Sequence, residues 1–104
     1  MSSCRVNAAH IADFIGMPVI LTCCIKEIKE NVAIVTTTDL EIIYIIPGQD
    51  ISGLIPGQTG ELRGTVQDRN TVIFDKFLER PGLNFSFVNR VIEMTFDPRF
   101  ANMF

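Results

Sequence analysis

Short strand-like segments follow one another through the middle of the chain, with only turns or loops between them. They are rich in β-branched and other apolar residues, and they cover residues 19–29, 32–36, 40–46, 61–67 and 71–79. Consecutive parallel strands need a crossover connection, usually a helix, and no helical pattern lies within this stretch. The order therefore excludes a sheet built from βαβ units and favours antiparallel strands.

A five-stranded antiparallel barrel of the OB-fold type is the architecture that we expect from this order, because its long first strand suits a small Greek-key barrel. A five-stranded SH3-like barrel is the main alternative, since the pattern alone does not separate the two. The chain has 104 residues, enough for one domain and too few for two. We predict a single all-β domain with flanking helices, divided into residues 1–82 (a short N-terminal helix and the barrel) and 83–104 (a C-terminal oligomerisation helix and tail).

A helix is predicted on each side of the barrel. Asn7 can cap a short helix over residues 8–15, and Asn84 can cap a longer one over residues 85–96. An asparagine at this position accepts a hydrogen bond from a free backbone amide of the first turn. Pro98 lies beyond the end of the second helix and cannot continue it.

The predicted C-terminal helix is apolar around more of its circumference than one barrel can cover. At about 100° per residue its apolar side chains span roughly 200°, whereas packing on a single surface needs about 100°. We expect one side to pack on the barrel and the other on partner helices; the alternative is a fully buried core helix, for which a small barrel has little room. The candidate partner-binding residues are Phe85, Phe87, Val88, Val91, Ile92, Met94, Phe96 and Phe100. Met103 and Phe104 extend this apolar sequence.

The charge balance argues against strong nucleic-acid binding by the chain alone. Nine Lys and Arg stand against twelve Asp and Glu, a formal net charge of −3, whereas proteins that grip phosphates usually carry a cationic surplus. An anionic membrane surface is disfavoured for the same reason. Cys4, Cys23 and Cys24 do not form a secreted disulfide pattern, and the N-terminus lacks the apolar stretch of a signal peptide. We therefore expect an intracellular chain with reduced cysteines.

No catalytic, metal-binding or cofactor-binding constellation is visible in the sequence. His10 is the single histidine and has no Cys pair nearby, so a metal site would lack ligands. Cys23 and Cys24 point to opposite sides of a strand and cannot chelate one ion together. The glycines match neither a P-loop nor a dinucleotide-binding fingerprint. We expect a non-enzymatic protein that uses no metal and no cofactor.

Single-strand-binding barrels stack bases on exposed aromatic side chains beside basic residues. Phe77 is the best stacking candidate, because it is out of phase with Phe74 and adjacent to Lys76. Arg63, on the facing strand of the same predicted hairpin, completes this weak candidate nucleic-acid site. Phe74 and Tyr44 are expected in the core.

The chain resembles the smallest subunit of eukaryotic replication protein A. Residues 5–8 read Arg-Val-Asn-Ala and residues 14–19 read Phe-Ile-Gly-Met-Pro-Val, similar to that family's N-terminal segment. The order of a short helix, five strands and a long C-terminal helix is also similar. Comparable residues near the C-terminus are Asn84, Phe87, Asn89, Asp97 and Phe100.

The resemblance implies a nuclear OB-fold subunit that joins the large and middle subunits of a heterotrimeric single-stranded-DNA-binding complex. Its C-terminal helix would enter a three-helix bundle. Single-stranded DNA in replication, repair and recombination would be bound mainly through the complex. No membrane partner is implied. The chain is shorter than the animal proteins and its Pro-Gly-Gln turns differ. Two alternatives therefore stay open: a small OB-fold subunit of a telomere-capping or telomerase-associated complex, and a self-sufficient single-strand-binding barrel.

Overall fold

Strands precede a single α-helix in the computed structural model, which describes residues 4–100. The elements are β1 (Cys4–Val6), a 3-10 helix (Ile11–Phe14), β2 (Pro18–Lys29), β3 (Val32–Thr37), β4 (Ile42–Pro47), β5 (Thr59–Asp68), β6 (Thr71–Glu79), α1 (Phe85–Phe96) and a 3-10 turn (Pro98–Phe100). Among the described residues, no helix combines the length and the apolar character needed to cross a bilayer.

The sheet closes on itself as an OB-fold barrel, as the sequence predicts. Its strand order is β1-β2-β3-β4-β6-β5, and β5 also pairs with β2. The pairings of β2 with β3, β3 with β4, β2 with β5 and β5 with β6 are antiparallel. The pairing of β4 with β6 is parallel, which the expectation of purely antiparallel strands missed. It arises because β5 lies against β2, so the hairpin that follows brings β6 back in the direction of β4.

The N-terminal segment differs most from its predicted structure. Residues 4–6 form β1, an unpredicted edge strand parallel to β2, which is too short to show an alternating pattern. The predicted helix over residues 8–15 is reduced to the 3-10 helix Ile11–Phe14. Asn7 does not cap it, because the Asn7 side chain bonds to α1 instead.

The barrel core follows the predicted alternation on β2 but not on β4. Phe74 is buried, as expected, and so are the inward side chains of β2. On β4 the buried residues are Ile43 and Ile45, so Tyr44 lies on the outer face and is 42% exposed. The expectation that Tyr44 is in the core was wrong. Nearly every position of β4 is apolar, so the sequence does not indicate which alternate side chains point inward. The inward residues of β2 are Val19, Leu21, Cys23 and Ile25.

Candidate functional site

The inward face of α1 anchors the helix to the barrel. The helix begins as predicted, with the Asn84 side chain accepting a hydrogen bond from the backbone N–H of Phe87 at 3.0 Å. Ile92 is only 2% exposed. Phe96 stacks on His10, with ring centroids 4.0 Å apart, and meets the edge of Phe14 at 5.9 Å. These contacts bury one part of the apolar surface of the helix against the barrel and leave the other apolar side chains of α1 to be placed.

The outward face of α1 remains uncovered by the described part of the chain. Phe87 is 63% exposed and Val91, one turn later, is 36% exposed. Met94, half-buried, lies on the same side after a further turn. The excess apolar arc predicted from the sequence is therefore present as a second face, which we call the outer helix face (Phe87, Val91 and Met94).

The other predicted partner-binding residues are divided between the two sides. Ile92 and Phe96 belong to the inward face, while Phe85 and Val88 are half-buried. The side chain of Phe100 and residues 101–104, including Met103 and Phe104, lie outside the described part of the structure. Partner binding by any of these residues stays a prediction.

A partly buried polar cluster joins the N-terminal segment to α1. Asn7 is fully buried, and its Nδ2 donates to Asn89 Oδ1 at 2.8 Å and to Glu93 Oε2 at 2.6 Å. The Thr38 hydroxyl also donates to Asn89 Oδ1, at 2.9 Å. Asn7 Oδ1 is buried and has no hydrogen-bond partner among the described residues. Sequence reasoning missed this cluster, because nothing local in the sequence pairs residue 7 with the distant helix.

The carboxylate of Glu93 is the charged member of this cluster. Its Oε1 lies 2.9 Å from His10 Nε2. The hydrogen bond from Asn7, and then that from His10, lower the pKa of the Glu93 carboxyl below its usual range. The segment before the 3-10 helix is held as well, since Asp39 accepts the backbone N–H groups of Ala8 and Ala9 at 3.2 and 3.0 Å. The helix is thus fixed to the barrel by polar as well as apolar contacts.

The candidate nucleic-acid residues lie together on the β5–β6 hairpin, but Phe77 does not face outward as predicted. Arg63 pairs with Lys76 and Gly64 with Phe74, so Asp75 is the extra residue of a β-bulge. A bulge shifts the side-chain phase by one position, and Phe77 consequently packs, half-buried, against the core. Arg63 and Lys76 are both exposed.

The cysteines and acidic residues do not assemble into a metal centre within residues 4–100. No group of three or more His, Cys, Asp or Glu side chains in that range could hold an ion. Cys23 is buried and Cys24 half-buried, as the alternation of a strand predicts. Burial raises the pKa of the Cys23 thiol far above its usual range, which keeps it protonated and unreactive.

Solved structures share this fold, whereas no family model and no curated protein sequence matches the chain. A chain in the structure of U. maydis Replication protein A bound to ssDNA is 18% identical, with a TM-score of 0.80 over 100% of this chain and 98% of that one. The telomere capping protein Ten1 from S. pombe is 10% identical, with a TM-score of 0.74 over 88% of this chain and 95% of its own. A chain of the S. pombe Stn1-Ten1 complex is 10% identical, with a TM-score of 0.72 over 89% of this chain and 90% of that one. The chain therefore has the OB-fold seen in these proteins.

Proposed function

We propose that this chain is a non-catalytic structural subunit of a heterotrimeric, nuclear single-stranded-DNA-binding complex, and that it joins larger OB-fold subunits through the outer helix face. The observation that carries the proposal is the exposure of Phe87 and Val91 on a helix whose opposite side is already anchored.

The spacing of the outer helix face fits helix-to-helix recognition. Phe87, Val91 and Met94 stand at positions i, i+4 and i+7, the pattern by which an amphipathic helix presents its anchors to an apolar partner. Burying such a face stabilises an assembly by about 25 cal/mol for each Å² of apolar surface removed from water. Three helices, one from each subunit, would cover all of these anchors.

The structural likeness supports the same function. The U. maydis structure to which this chain is similar over its whole length is Replication protein A bound to ssDNA. A subunit of such a complex needs little cationic surface of its own, which agrees with the net charge of −3. Roles in DNA replication, repair and recombination follow from this proposal.

Co-expression with the large and middle subunits of a replication protein A, followed by light scattering, tests the proposal. The wild-type chain should give a 1:1:1 complex. Val91→Glu should abolish it, because assembly would bury an unpaired charge, whereas Ser86→Glu, on the exposed polar side of the same helix, should leave it intact. Circular dichroism checks that both isolated variants fold. A complex that survives Val91→Glu would show that the outer helix face is not the interface.

A telomere-capping subunit is the second candidate, and the likeness to S. pombe Ten1 and to the Stn1-Ten1 complex favours it. The same helix would then meet an Stn1-type subunit. Competitive co-expression of the chain with a replication protein A middle subunit and an Stn1-type subunit distinguishes the two candidates. The subunit that is retained on the tagged chain identifies the complex.

A further inference from the structure

Three cationic residues stand in one cross-strand row on the outer surface of the barrel. Arg5 on β1 pairs with Ile20 on β2, Ile20 pairs with Arg63 on β5, and Arg63 pairs with Lys76 on β6. Neighbouring strands lie about 4.8 Å apart, so the row spans about 14 Å across the sheet. We call it the basic row (Arg5, Arg63 and Lys76). It joins residues that are scattered along the sequence.

The position of Ile20 shows that the basic row lies on the outer face. Ile20 is 4% exposed, yet it is not part of the core cluster that holds its neighbours Val19 and Leu21. The side chains beside it in the row are those of Arg5 and Arg63, and arginine stems can lie along apolar surface while the guanidinium stays in water. The guanidinium of Arg5 reaches Glu61 on β5 at 2.7 Å, which holds it over β2.

The charges of Arg63 and Lys76 are not compensated within the described structure. Like charges directly opposite each other in an antiparallel pair destabilise a sheet. The nearby Glu61 is engaged by Arg5. Asp75, the bulge residue, makes no ion pair with Lys76 among residues 4–100. An acidic chain thus keeps an unneutralised cationic pair on the β5–β6 hairpin, where an external anion would relieve the repulsion.

Apolar surface adjoins this cationic pair. A shallow groove is lined by Arg63 and Lys76 together with Phe77, Leu78 and Glu61. Phe77 is half-buried and Leu78 is 51% exposed, and the Glu61 carboxylate is paired with Arg5. Cations that follow a backbone, beside aromatic or apolar surface for bases, are the elements of a site for a single strand of nucleic acid. An acidic peptide could pair with the cations, but its carboxylates would make no use of the apolar surface beside them.

We propose that the basic row binds the phosphate backbone of single-stranded DNA, with the bases directed toward the exposed side chain of Leu78. The contact is weak and salt-dependent, because only Arg63 and Lys76 are free to release counterions. This site differs from the surface that OB-folds commonly use, which here would be β3, β4 and the turns at 30–31 and 69–70. It does not involve α1 and is independent of assembly.

Titration of the isotope-labelled full chain with oligo-dT, followed by amide NMR at low salt, tests the site. The expected shifts cluster at Arg5, Ile20, Arg63 and Lys76. If each free cation contacts one phosphate, the logarithm of affinity falls with that of salt with a slope of about −1.4, a loss of about sevenfold between 50 and 200 mM. Absence of shifts, or shifts confined to β3 and β4, would overturn the proposal.

Charge-matched variants separate a site from a general charge effect. Arg63→Glu/Lys76→Glu should remove the shifts, whereas Lys26→Glu/Lys29→Glu changes the net charge equally at exposed positions elsewhere and should retain them. Equal loss in both double variants contradicts the site. A poly-glutamate peptide of matched charge that moves the same amides with equal affinity would reassign it to a protein ligand. Val91→Glu should bind oligo-dT like the wild type, so failure of assembly and failure of this site are distinguishable.

Discussion

Nδ2 of Asn7 and Oε2 of Glu93 lie 2.6 Å apart, although 86 positions separate the two residues in the sequence. The same amide group also holds Asn89, one turn earlier on α1. Bonds at two successive turns, together with the burial of Ile92 and the stacking of Phe96 on His10, fix which side of α1 faces the barrel. The exposure of Phe87 and Val91 follows from this orientation.

Removal of the Asn7 amide should destabilise the isolated chain. Asn7→Ala loses two partly buried hydrogen bonds, one of them to a carboxylate, and we expect the free energy of unfolding to fall by about 2 kcal/mol in urea denaturation. Combined with Glu93→Ala in a double-mutant cycle, it should show a coupling of at least about 0.5 kcal/mol. The same cycle with Glu79→Ala, at an exposed position of β6, should be additive. Additivity with Glu93→Ala would mean that the bond contributes nothing.

Stability should depend on pH through Glu93. Because folding lowers the pKa of this carboxyl, the ionised form stabilises the fold above the ordinary glutamate value of about 4.3, and the contribution is lost as the pH falls through the lowered value. The difference in unfolding free energy between wild type and Glu93→Gln should therefore be largest near pH 6–7 and shrink below about pH 5. Glu79→Gln is the control. A gap that stays constant down to pH 3 would be inconsistent with a lowered pKa.

Phe96 and Phe87 should have opposite roles. Phe96→Ala removes the contacts with His10 and Phe14 and should cost the isolated chain about 2–3 kcal/mol, somewhat less than a fully buried phenylalanine. Phe87→Ala, at a site 63% exposed, should change the free energy of unfolding of the isolated chain by less than about 0.5 kcal/mol. It should nevertheless weaken assembly. Thermal unfolding and co-purification measure the two effects. A large loss of stability in Phe87→Ala would place that side chain in the core.

Leu40 should be replaceable with a gain in stability. It is 76% exposed and has a φ of +62°, a left-handed conformation that costs an ordinary residue about 1–2 kcal/mol and that asparagine tolerates better. Leu40→Asn should therefore stabilise the isolated chain by about 0.5–1 kcal/mol. Leu78→Asn, at another exposed leucine within a strand, should give no gain. Destabilisation by Leu40→Asn would indicate contacts of Leu40 that outweigh its strain.

Gly64 should not tolerate a side chain. A Cβ at this position would lie 2.3 Å from the carbonyl oxygen of Ile73 on the neighbouring strand, so Gly64→Ala must shift the backbone next to the bulge. We expect a loss of about 2 kcal/mol or more. At Gly53 an added Cβ meets no atom within 4 Å, and Gly53→Ala should be neutral within about 0.5 kcal/mol. Equal behaviour of the two alanine variants in urea denaturation would refute the steric argument.

The sequence predicts the structure correctly where the apolar residues of a segment repeat with a clear period. The bounds of α1 and its Asn84 cap came out as predicted, because a helical repeat and a capping residue reinforce each other. The pattern failed on β4, where an apolar run hides the phase of Tyr44, and on β6, where the Asp75 bulge reverses the phase of Phe77. Neither a bulge nor an all-apolar strand leaves a periodic signal.

Contacts between distant segments could not be predicted at all. The immediate neighbours of Asn7 predict a capping role for it, although its partners lie on α1. Two of the three residues of the basic row, Arg63 and Lys76, can be grouped from the sequence through their hairpin, whereas the place of Arg5 depends on β1 and its register. Such pairings depend on the closed barrel, which local preferences do not encode.

The parallel pairing of β4 with β6 has a consequence for the time that folding takes. β4 lies in the first half of the chain and β6 in the second, and β5, which pairs with β6, also pairs with β2 in the first half. Barrels dominated by such distant pairings fold in milliseconds to seconds, more slowly than helical proteins of the same size. Until closure, β4 and β6 both present open strand edges, which are templates for aggregation. We therefore expect the yield of this protein to depend on how quickly the barrel closes as well as on how stable it is afterwards.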